Sequence, residues 1–232
     1  MERTSSTTNA GTVLAPGDDL LYEVVDGQVV ELAPMGAYEI RIATVLAVHL
    51  ETFARQHQLG RAVQEMLFDL TTTVQRKRRP DVAFVSYDRW PRQCRIPRTE
   101  AWEVVPNLVV EVIRPTDRVD DMVDKVAEYF RAGVECVWVS LPSQEQVYVY
   151  ESPPQVRILT RTDELRGEPV LPQFQLALTA LFLETVFEQV VKTPLPLRNS
   201  KNVPIYLLCF AAGNSQDAPT AVKIARHILT RS

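Results

Sequence analysis

The chain has 232 residues, of which 46% are hydrophobic and 23% are charged, and its formal net charge is −4. This composition is typical of a soluble globular protein and excludes a disordered or collagen-like chain. No apolar run approaches the roughly 18 residues that a membrane-spanning helix needs, and the start of the chain lacks the apolar stretch of a secretory signal. Three cysteines without Cys-x-x-Cys spacing favour free thiols. We therefore expect a cytoplasmic protein.

The sequence pattern divides the chain into three parts. Residues 1–19, rich in Ser, Thr, Ala and Gly, are expected to form a flexible N-terminus. A folded domain over 20–190 begins with a predicted β-hairpin, because Asp26-Gly27 between two short apolar runs is the strongest short-range hairpin signal. Residues 191–232 form a C-terminal tail to which the sequence assigns no role.

The first half of the domain contains one long helix and several strands. Apolar residues at helical spacing predict a helix over 37–58, with Gly60 as its C-terminal stop. Alternating apolar and polar residues over 62–74 indicate one or two strands. A basic run over 76–79 then precedes the short strand that Asp81 opens.

The second half alternates strands and helices. A strand over 108–113 is ended by Pro115, and Thr116 or Asp117 is expected to cap the next helix, which Gly133 closes. The predicted apolar stripe of that helix consists of Val119, Val123, Val126, Ala127 and Phe130. Further strands are predicted over 134–141, 146–151 and 156–160, and a last amphipathic helix over 176–191. This order predicts an α/β (α+β) fold with a mixed sheet flanked by helices.

Two carboxylates stand where a carboxylate is energetically costly. Asp81 opens the apolar run 82–85, and Glu111 lies inside the apolar run 108–113, which indicates a strand covered on both faces. An ionised carboxylate there destabilises the fold unless it is paired or bound to a cation. On neighbouring strands the two would share Mg²⁺ or Mn²⁺, with the peptide carbonyl of Val112 as a third ligand. The alternative for Asp81 is a turn or cap residue.

Positive charge is concentrated over 76–98, which holds eight basic residues and two acids in a chain of net charge −4. A positive field beside an acidic site is what binding of a phosphate backbone requires. The predicted nucleic-acid contacts are Arg76, Lys77, Arg78 and Arg79. The alternative is a solvated surface loop.

Lys125 lies on the helix after Glu111 and outside its predicted apolar stripe. The simplest interpretation is a surface ion pair with Asp121 one turn earlier, which stabilises a helix by only about 0.3 kcal/mol. A catalytic lysine would instead point toward the cation and orient the attacking water. Glu65, on the strand after the first helix, is a weaker candidate for the same site.

Several segments occur in one order along residues 20–188. They are Tyr22-Glu23-Val24-Val25-Asp26-Gly27, Arg79-Pro80-Asp81-Val82-Ala83-Phe84-Val85, Pro106-Asn107-Leu108-Val109-Val110-Glu111-Val112, Pro115-Thr116-Asp117-Arg118, and the helix Asp121-x-x-x-Lys125-x-x-x-Tyr129 before Gly133-Val134 and Trp138. Together they resemble the Uma2 family of restriction endonucleases, within the PD-(D/E)XK nuclease superfamily.

The resemblance implies a restriction-endonuclease-like fold and a metal-dependent endonuclease that hydrolyses DNA. It implies that Asp81 and Glu111 are the active-site acids. The superfamily lysine normally follows the Glu by two residues, where this chain has Ile113, and the resemblance implies that Lys125 replaces it. It also implies a further acid on the first helix, Glu39, and pairing into a homodimer.

Two functions of other classes stay open. This chain has Ile113 where the superfamily has its lysine, and the unusual Arg114 follows it. Both features would also fit a catalytically inactive module of nuclease fold that binds DNA or protein. In a third interpretation the fold binds a partner and uses its acids only structurally. The chain has no Gly-x-Ser-x-Gly, Gly-x-x-x-x-Gly-Lys or Gly-x-Gly-x-x-Gly segment, which argues against a serine hydrolase, a phosphate loop or a dinucleotide site.

Overall fold

A computed structural model describes residues 21–186 and the short segments 189–190, 195–198, 204–208 and 211–212. The predicted flexible N-terminus and most of the predicted tail therefore lie outside the described residues. Within the part of the chain that is described, no helix combines the length and the apolar character needed to cross a lipid bilayer.

The chain alternates short strands with four helices in its described ranges. The strands are β1 (Tyr22–Val25), β2 (Gln28–Glu31), β3 (Gly60–Gln64), β4 (Phe68–Asp69), β5 (Arg76–Arg78), β6 (Val82–Ser86), β7 (Leu108–Val112), β8 (Cys136–Leu141), β9 (Gln146–Ser152), β10 (Gln155–Thr160), β11 (Glu164–Arg166), β12 (Gln175–Ala177), β13 (Gln189–Val190), β14 (Leu195–Arg198), β15 (Pro204–Leu208) and β16 (Ala211–Ala212). The helices are α1 (Ala37–Gln56), α2 (Thr71–Val74), α3 (Val119–Ala132) and α4 (Leu178–Val186), with a 3₁₀ turn over Pro142–Gln144.

A six-stranded mixed sheet forms the centre, in the order β10-β9-β8-β7-β6-β3. Strands β7 and β8 are parallel and are connected through α3, whereas the other neighbours in this sheet are antiparallel. The predicted mixed sheet flanked by helices is confirmed. Because a parallel pair requires a crossover, the connection through α3 places that helix over one face of the sheet.

The two faces of the central sheet are covered by different helices. On one face Val82 and Phe84 of β6 pack with residues of α1 and α4, and on the other face Ala83 and Val85 pack with Tyr129 of α3. This division follows from the strand repeat of two residues, which sends alternate side chains to opposite faces. Odd-numbered residues of β6 and β7 therefore face α3.

A second sheet of four antiparallel strands, in the order β2-β1-β5-β4, contains the predicted hairpin. The turn residues Asp26 and Gly27 both have positive φ angles, 51° and 78°, as the hairpin signal requires. One face of β1 packs Tyr22 against Leu67 and Ala101. Its other face carries Glu23, which is also buried.

Three local predictions were wrong. Helix α1 ends at Gln56, and Gly60 opens β3 instead of stopping the helix. Residues 71–74 form the helical turn α2 and not a strand, and the basic run is the strand β5. Residues 175–177 pair with β11, so the last helix begins only at Leu178. In residues 175–177 the pairing with β11 overrides the local helical preference.

The predicted cap and apolar stripe of α3 also differ from the structure. The N-cap is Arg118, without a side-chain cap hydrogen bond, because the Asp117 carboxylate accepts hydrogen bonds from Arg114 instead. Val119 and Val123 are exposed by 70% and 51%. The closing residue is Gly133, as predicted, with a left-handed φ of 101°.

We expect Gly60→Ala to destabilise the protein by about 2–3 kcal/mol, because overpacked positions cost this much when backbone must move. A Cβ atom at residue 60 would lie 2.2 Å from the carbonyl oxygen of Val85 and 2.7 Å from the ring of Phe84. Urea denaturation measures the loss. Gly133→Ala is the matched control: its Cβ meets nothing nearer than 4.0 Å, so only the left-handed backbone is strained, at about 1–2 kcal/mol. Equal losses would contradict the packing argument.

Candidate active site

Strand register places Asp81 and Glu111 side by side. Val82 of β6 lies opposite Val110 of β7 in an antiparallel pair, so the residue before Val82 stands beside the residue after Val110. Both acids have odd numbers and therefore lie on the face that α3 covers. The structure thus brings together two carboxylates that are 30 residues apart in sequence.

Asp81 is a carboxylate with little compensation for its burial. Its Oδ2 accepts a hydrogen bond of 2.6 Å from the backbone N–H of Val112. Among the described residues no arginine or lysine forms an ion pair with it. Burial, and then the negative charge of Glu111, raise the pKa of Asp81 to about 7. A cation beside Asp81 would favour the ionised form and so offset both effects.

Glu111 is bound by groups from α3. The Lys125 ammonium lies 3.0 Å from Oε1 and 3.1 Å from Oε2 of Glu111, and the Tyr129 hydroxyl donates a 2.6 Å hydrogen bond to Oε1. Burial raises the pKa of Glu111 even though Lys125 and Tyr129 favour the ionised form. The residue is only 8% exposed. The predicted surface pair of Lys125 with Asp121 is therefore replaced by a buried pair with Glu111.

Glu23 is a site residue that the sequence did not reveal. Its Oε1 lies 3.1 Å from the Lys125 ammonium and accepts a 2.9 Å hydrogen bond from the backbone N–H of Arg79, and its Oε2 lies 2.6 Å from Arg78. Burial would raise the pKa of Glu23, but Lys125 and Arg78 outweigh burial and lower it. Glu23 therefore fixes both the lysine and the chain segment that leads into Asp81.

Lys125 is a buried cation between two carboxylates. Burial would lower the pKa of Lys125, but the charges of Glu111 and Glu23 outweigh it and raise the pKa above the usual range. The lysine therefore keeps its proton at neutral pH. It can donate hydrogen bonds and stabilise negative charge, but it is unsuited to accept a proton.

The predicted phosphate contacts are engaged inside the protein. Arg76 pairs with Asp26 and Glu128, Lys77 lies 3.0 Å from Asp69, Arg78 pairs with Glu23 and Glu128, and Arg79 donates to the carbonyl oxygens of Tyr22 and Glu65. These contacts neutralise most of the positive charge of β5. The exposed arginines of the basic region are Arg92, Arg95 and Arg98, on the long connection between β6 and β7.

The other predicted site residues have different positions. Glu39, in the first turn of α1, does not line the cavity described below, and its Oε2 lies beside Gly36 of its own helix start. Glu65 follows β3, donates its backbone N–H to the carbonyl of Asp81, and lines the cavity. Val112 contacts Asp81 through its N–H, and its carbonyl as a metal ligand stays a prediction.

A cavity of about 870 Å³ opens above the acids. Its floor contains Glu23, Asp81, Glu111 and Lys125. Apolar residues from the segment before α1, from the start of α1, and from near β7 and α3 line much of its wall: Leu32, Ala33, Pro34, Met35, Ile40, Ile113 and Met122. The guanidinium of Arg114 connects two sides of the cavity, since it binds Asp117 and donates a 2.6 Å hydrogen bond to the carbonyl of Ala33.

The donor set fits a hard cation better than zinc. In the described residues no three His, Cys, Asp or Glu side chains converge to hold a metal ion by themselves. Magnesium usually needs only one or two protein carboxylates, with water and substrate phosphate completing its shell. Asp81 and Glu111, with oxygen donors and raised pKa values, match that requirement.

The chain was compared with known proteins. It matches the Uma2 family, described as "Putative restriction endonuclease", over residues 13–179. It is similar in structure to a putative nuclease belonging to DUF820 from Anabaena variabilis ATCC 29413, with 15% sequence identity and a TM-score of 0.62 over 72% of this chain and 93% of that chain. No curated protein matches it. The structural likeness supports the nuclease-like fold, and the family match shows that the chain belongs to the Uma2 family.

Proposed function

We propose that this protein is a magnesium- or manganese-dependent endonuclease that hydrolyses phosphodiester bonds in DNA. The observation that supports this function is the pair of adjacent acids with raised pKa values, beside a buried lysine, on the floor of an open cavity. Membership of the Uma2 family supports the same conclusion.

Asp81 and Glu111, with the carbonyl of Val112, would hold the cation. When bound, the cation would supply charge neutralisation on a phosphate oxygen and a lower pKa for water. Asp81 is held in place by the N–H of Val112, and Glu111 by Tyr129. Two fixed carboxylates of this kind need no rearrangement when charge develops.

Lys125 would orient the attacking water or stabilise the negative phosphate. Its ammonium is fixed from two sides, by Glu111 at 3.0 Å and by Glu23 at 3.1 Å. Because its pKa is raised, it acts as a hydrogen-bond donor and not as the base.

A second candidate is a catalytically inactive module of nuclease fold that binds DNA or protein. One observation favours it: Lys125 already contacts both oxygens of Glu111, so this acid is neutralised without a metal. Such a module would bind DNA in a salt-dependent way without cleaving it.

Nicking of supercoiled DNA with Mg²⁺ or Mn²⁺ separates the two functions. We expect the wild type to nick, and Asp81→Asn and Glu111→Gln to lose about a hundredfold or more of the rate, as removal of a catalytic group usually causes. Glu151→Gln is the matched control, since this acid is exposed on β9 and pairs only with Arg157 in the described structure. Equal rates in all four proteins would refute the assignment. DNA binding without nicking would favour the inactive module.

A further inference from the structure

We propose that the DNA strand enters the cavity unpaired, so that the substrate is single-stranded DNA or an unpaired stretch within a duplex. This inference rests on the proposed function and specifies its substrate class. The cavity's depth, its wall, its size and the charges around it support it independently of one another.

The reactive groups lie at the bottom of the cavity. Glu111 is 8% exposed, Glu23 is 4% exposed, and the Lys125 side chain is 20% exposed. A phosphate must come within hydrogen-bond distance of these groups to react. It therefore has to enter the cavity, and the nucleotides that carry it must follow.

The wall beside the floor suits an exposed base. Five apolar side chains line it: Leu32, Met35, Ile40, Ile113 and Met122. In a duplex the base faces are stacked and only base edges and phosphates reach the grooves. An unpaired base can instead place its apolar face on such a wall while its phosphate reaches the polar floor.

The size of the cavity agrees with this substrate. Its volume of about 870 Å³ lies within the range of small-molecule sites, roughly 300–1,000 Å³. Enzymes that act on a base in a duplex must first extrude the nucleotide into a pocket of similar kind. A cavity of this size accepts a few linked nucleotides but not an intact double helix.

The surrounding charge does not form a track for a duplex. Much of the affinity for duplex DNA comes from Lys and Arg side chains that neutralise phosphates, but Arg76 and Arg78 beside the cavity are paired with acids. Arg79 and Arg118 also line the cavity. The Arg79 guanidinium donates to the backbone carbonyl oxygens of Tyr22 and Glu65, and the Arg118 side chain is 75% exposed and lies 3.8 Å from Asp120. These two arginines can contact the phosphates of a short single strand.

Binding without cleavage tests the substrate class. Fluorescence anisotropy in EDTA would compare one labelled oligonucleotide as a single strand, as a full duplex, and as a duplex with a short unpaired gap. We expect the single strand and the gapped duplex to bind at least about tenfold more tightly than the full duplex. Equal or tighter binding of the full duplex, or no binding of any of the three, would overturn the inference.

Two matched substitutions test where the DNA strand binds. Ile40, at the cavity wall, is 48% exposed, and Ile158, on β10 and outside the cavity, is 53% exposed. We expect Ile40→Glu to weaken single-strand binding by about tenfold, because a carboxylate on the wall repels the strand, and Ile158→Glu to leave it unchanged. Equal effects of the two substitutions would place the strand elsewhere and refute the inference.

The cleavage assay separates this inference from the proposed function. If the protein with Mn²⁺ cuts the full duplex as fast as the single strand, the inference fails and the proposed function stands. If it cuts neither but binds the single strand preferentially, the nuclease function fails and the cavity still binds an unpaired strand.

Discussion

Replacing Lys125 by methionine is expected to reduce the free energy of unfolding by about 3–5 kcal/mol, the usual cost of removing one partner from a buried ion pair. The ammonium lies 3.0 Å from Glu111 and 3.1 Å from Glu23, and both acids are buried. Methionine retains most of the volume but none of the charge, so two carboxylates lose a shared cation. Urea denaturation at pH 7 measures the effect.

Lys77→Met is the matched control for this substitution. Lys77 also pairs with an acid, Asp69, at 3.0 Å, but its side chain is 32% exposed. An ion pair at the surface contributes at most about 1 kcal/mol. Similar losses for Lys77→Met and Lys125→Met would show that burial does not amplify the Lys125 pairs.

A double-mutant cycle identifies which acid depends on Lys125. Adding Glu111→Gln to Lys125→Met removes one of the uncompensated charges, so the double variant is expected to be more stable than the sum of the single losses predicts. Coupling between contacting residues typically amounts to about 0.5–3 kcal/mol. Additive losses would mean that Glu23, and not Glu111, carries the dependence on Lys125.

The acids of the site could be predicted from sequence, but their partners could not. Glu111 interrupts a run of apolar residues, and such an interruption can be recognised from the sequence alone. Glu23 stands in an alternating strand, where the polar residue is expected to face water. The second sheet lies against α3, so both faces of β1 are covered and Glu23 is buried. That arrangement depends on packing between distant segments.

Helix α3 shows why a helical apolar stripe can mislead. Apolar spacing predicted that Val119 and Val123 face the core, but they are exposed. The buried side of the helix instead carries Lys125 and Tyr129, which contact Glu111, and Glu128, which pairs with two arginines of β5. A buried face made of paired charges looks polar in the sequence, so periodicity assigns it to solvent. The centre of the sheet was predictable because β6, β7 and β8 are mostly apolar and buried.

The basic run was identified correctly as a charge cluster, but its partners lie within the chain. Arg78 contacts Glu23 and Glu128, which are 55 and 50 residues away. Counting charges along a sequence does not distinguish an arginine that binds phosphate from one that binds a distant glutamate of the same protein. Only the fold brings these partners together.

Asp81→Asn is expected to stabilise the metal-free protein at pH 8 by up to about 4 kcal/mol, since one pKa unit corresponds to about 1.4 kcal/mol. The pKa of Asp81 is raised from 3.8 to about 7 in the folded protein. The folded state therefore binds this proton more tightly than the unfolded state does, and stability falls as pH rises from about 4 to about 7. Asparagine has no proton to lose and still provides an oxygen for the N–H of Val112.

Urea denaturation in EDTA at pH 5 and pH 8 tests the sign: the advantage of Asp81→Asn should be clearly smaller at pH 5 than at pH 8. Asp69→Asn provides the opposite control. Burial would raise the pKa of Asp69, but hydrogen bonds from Thr71 and the charge of Lys77 outweigh it and lower the pKa, so this variant should lose stability at neutral pH.

Mn²⁺ at pH 8 should then raise the melting temperature of the wild type and not of Asp81→Asn, because a ligand stabilises only the state that binds it. An equal rise in both proteins would exclude Asp81 as a ligand of the cation.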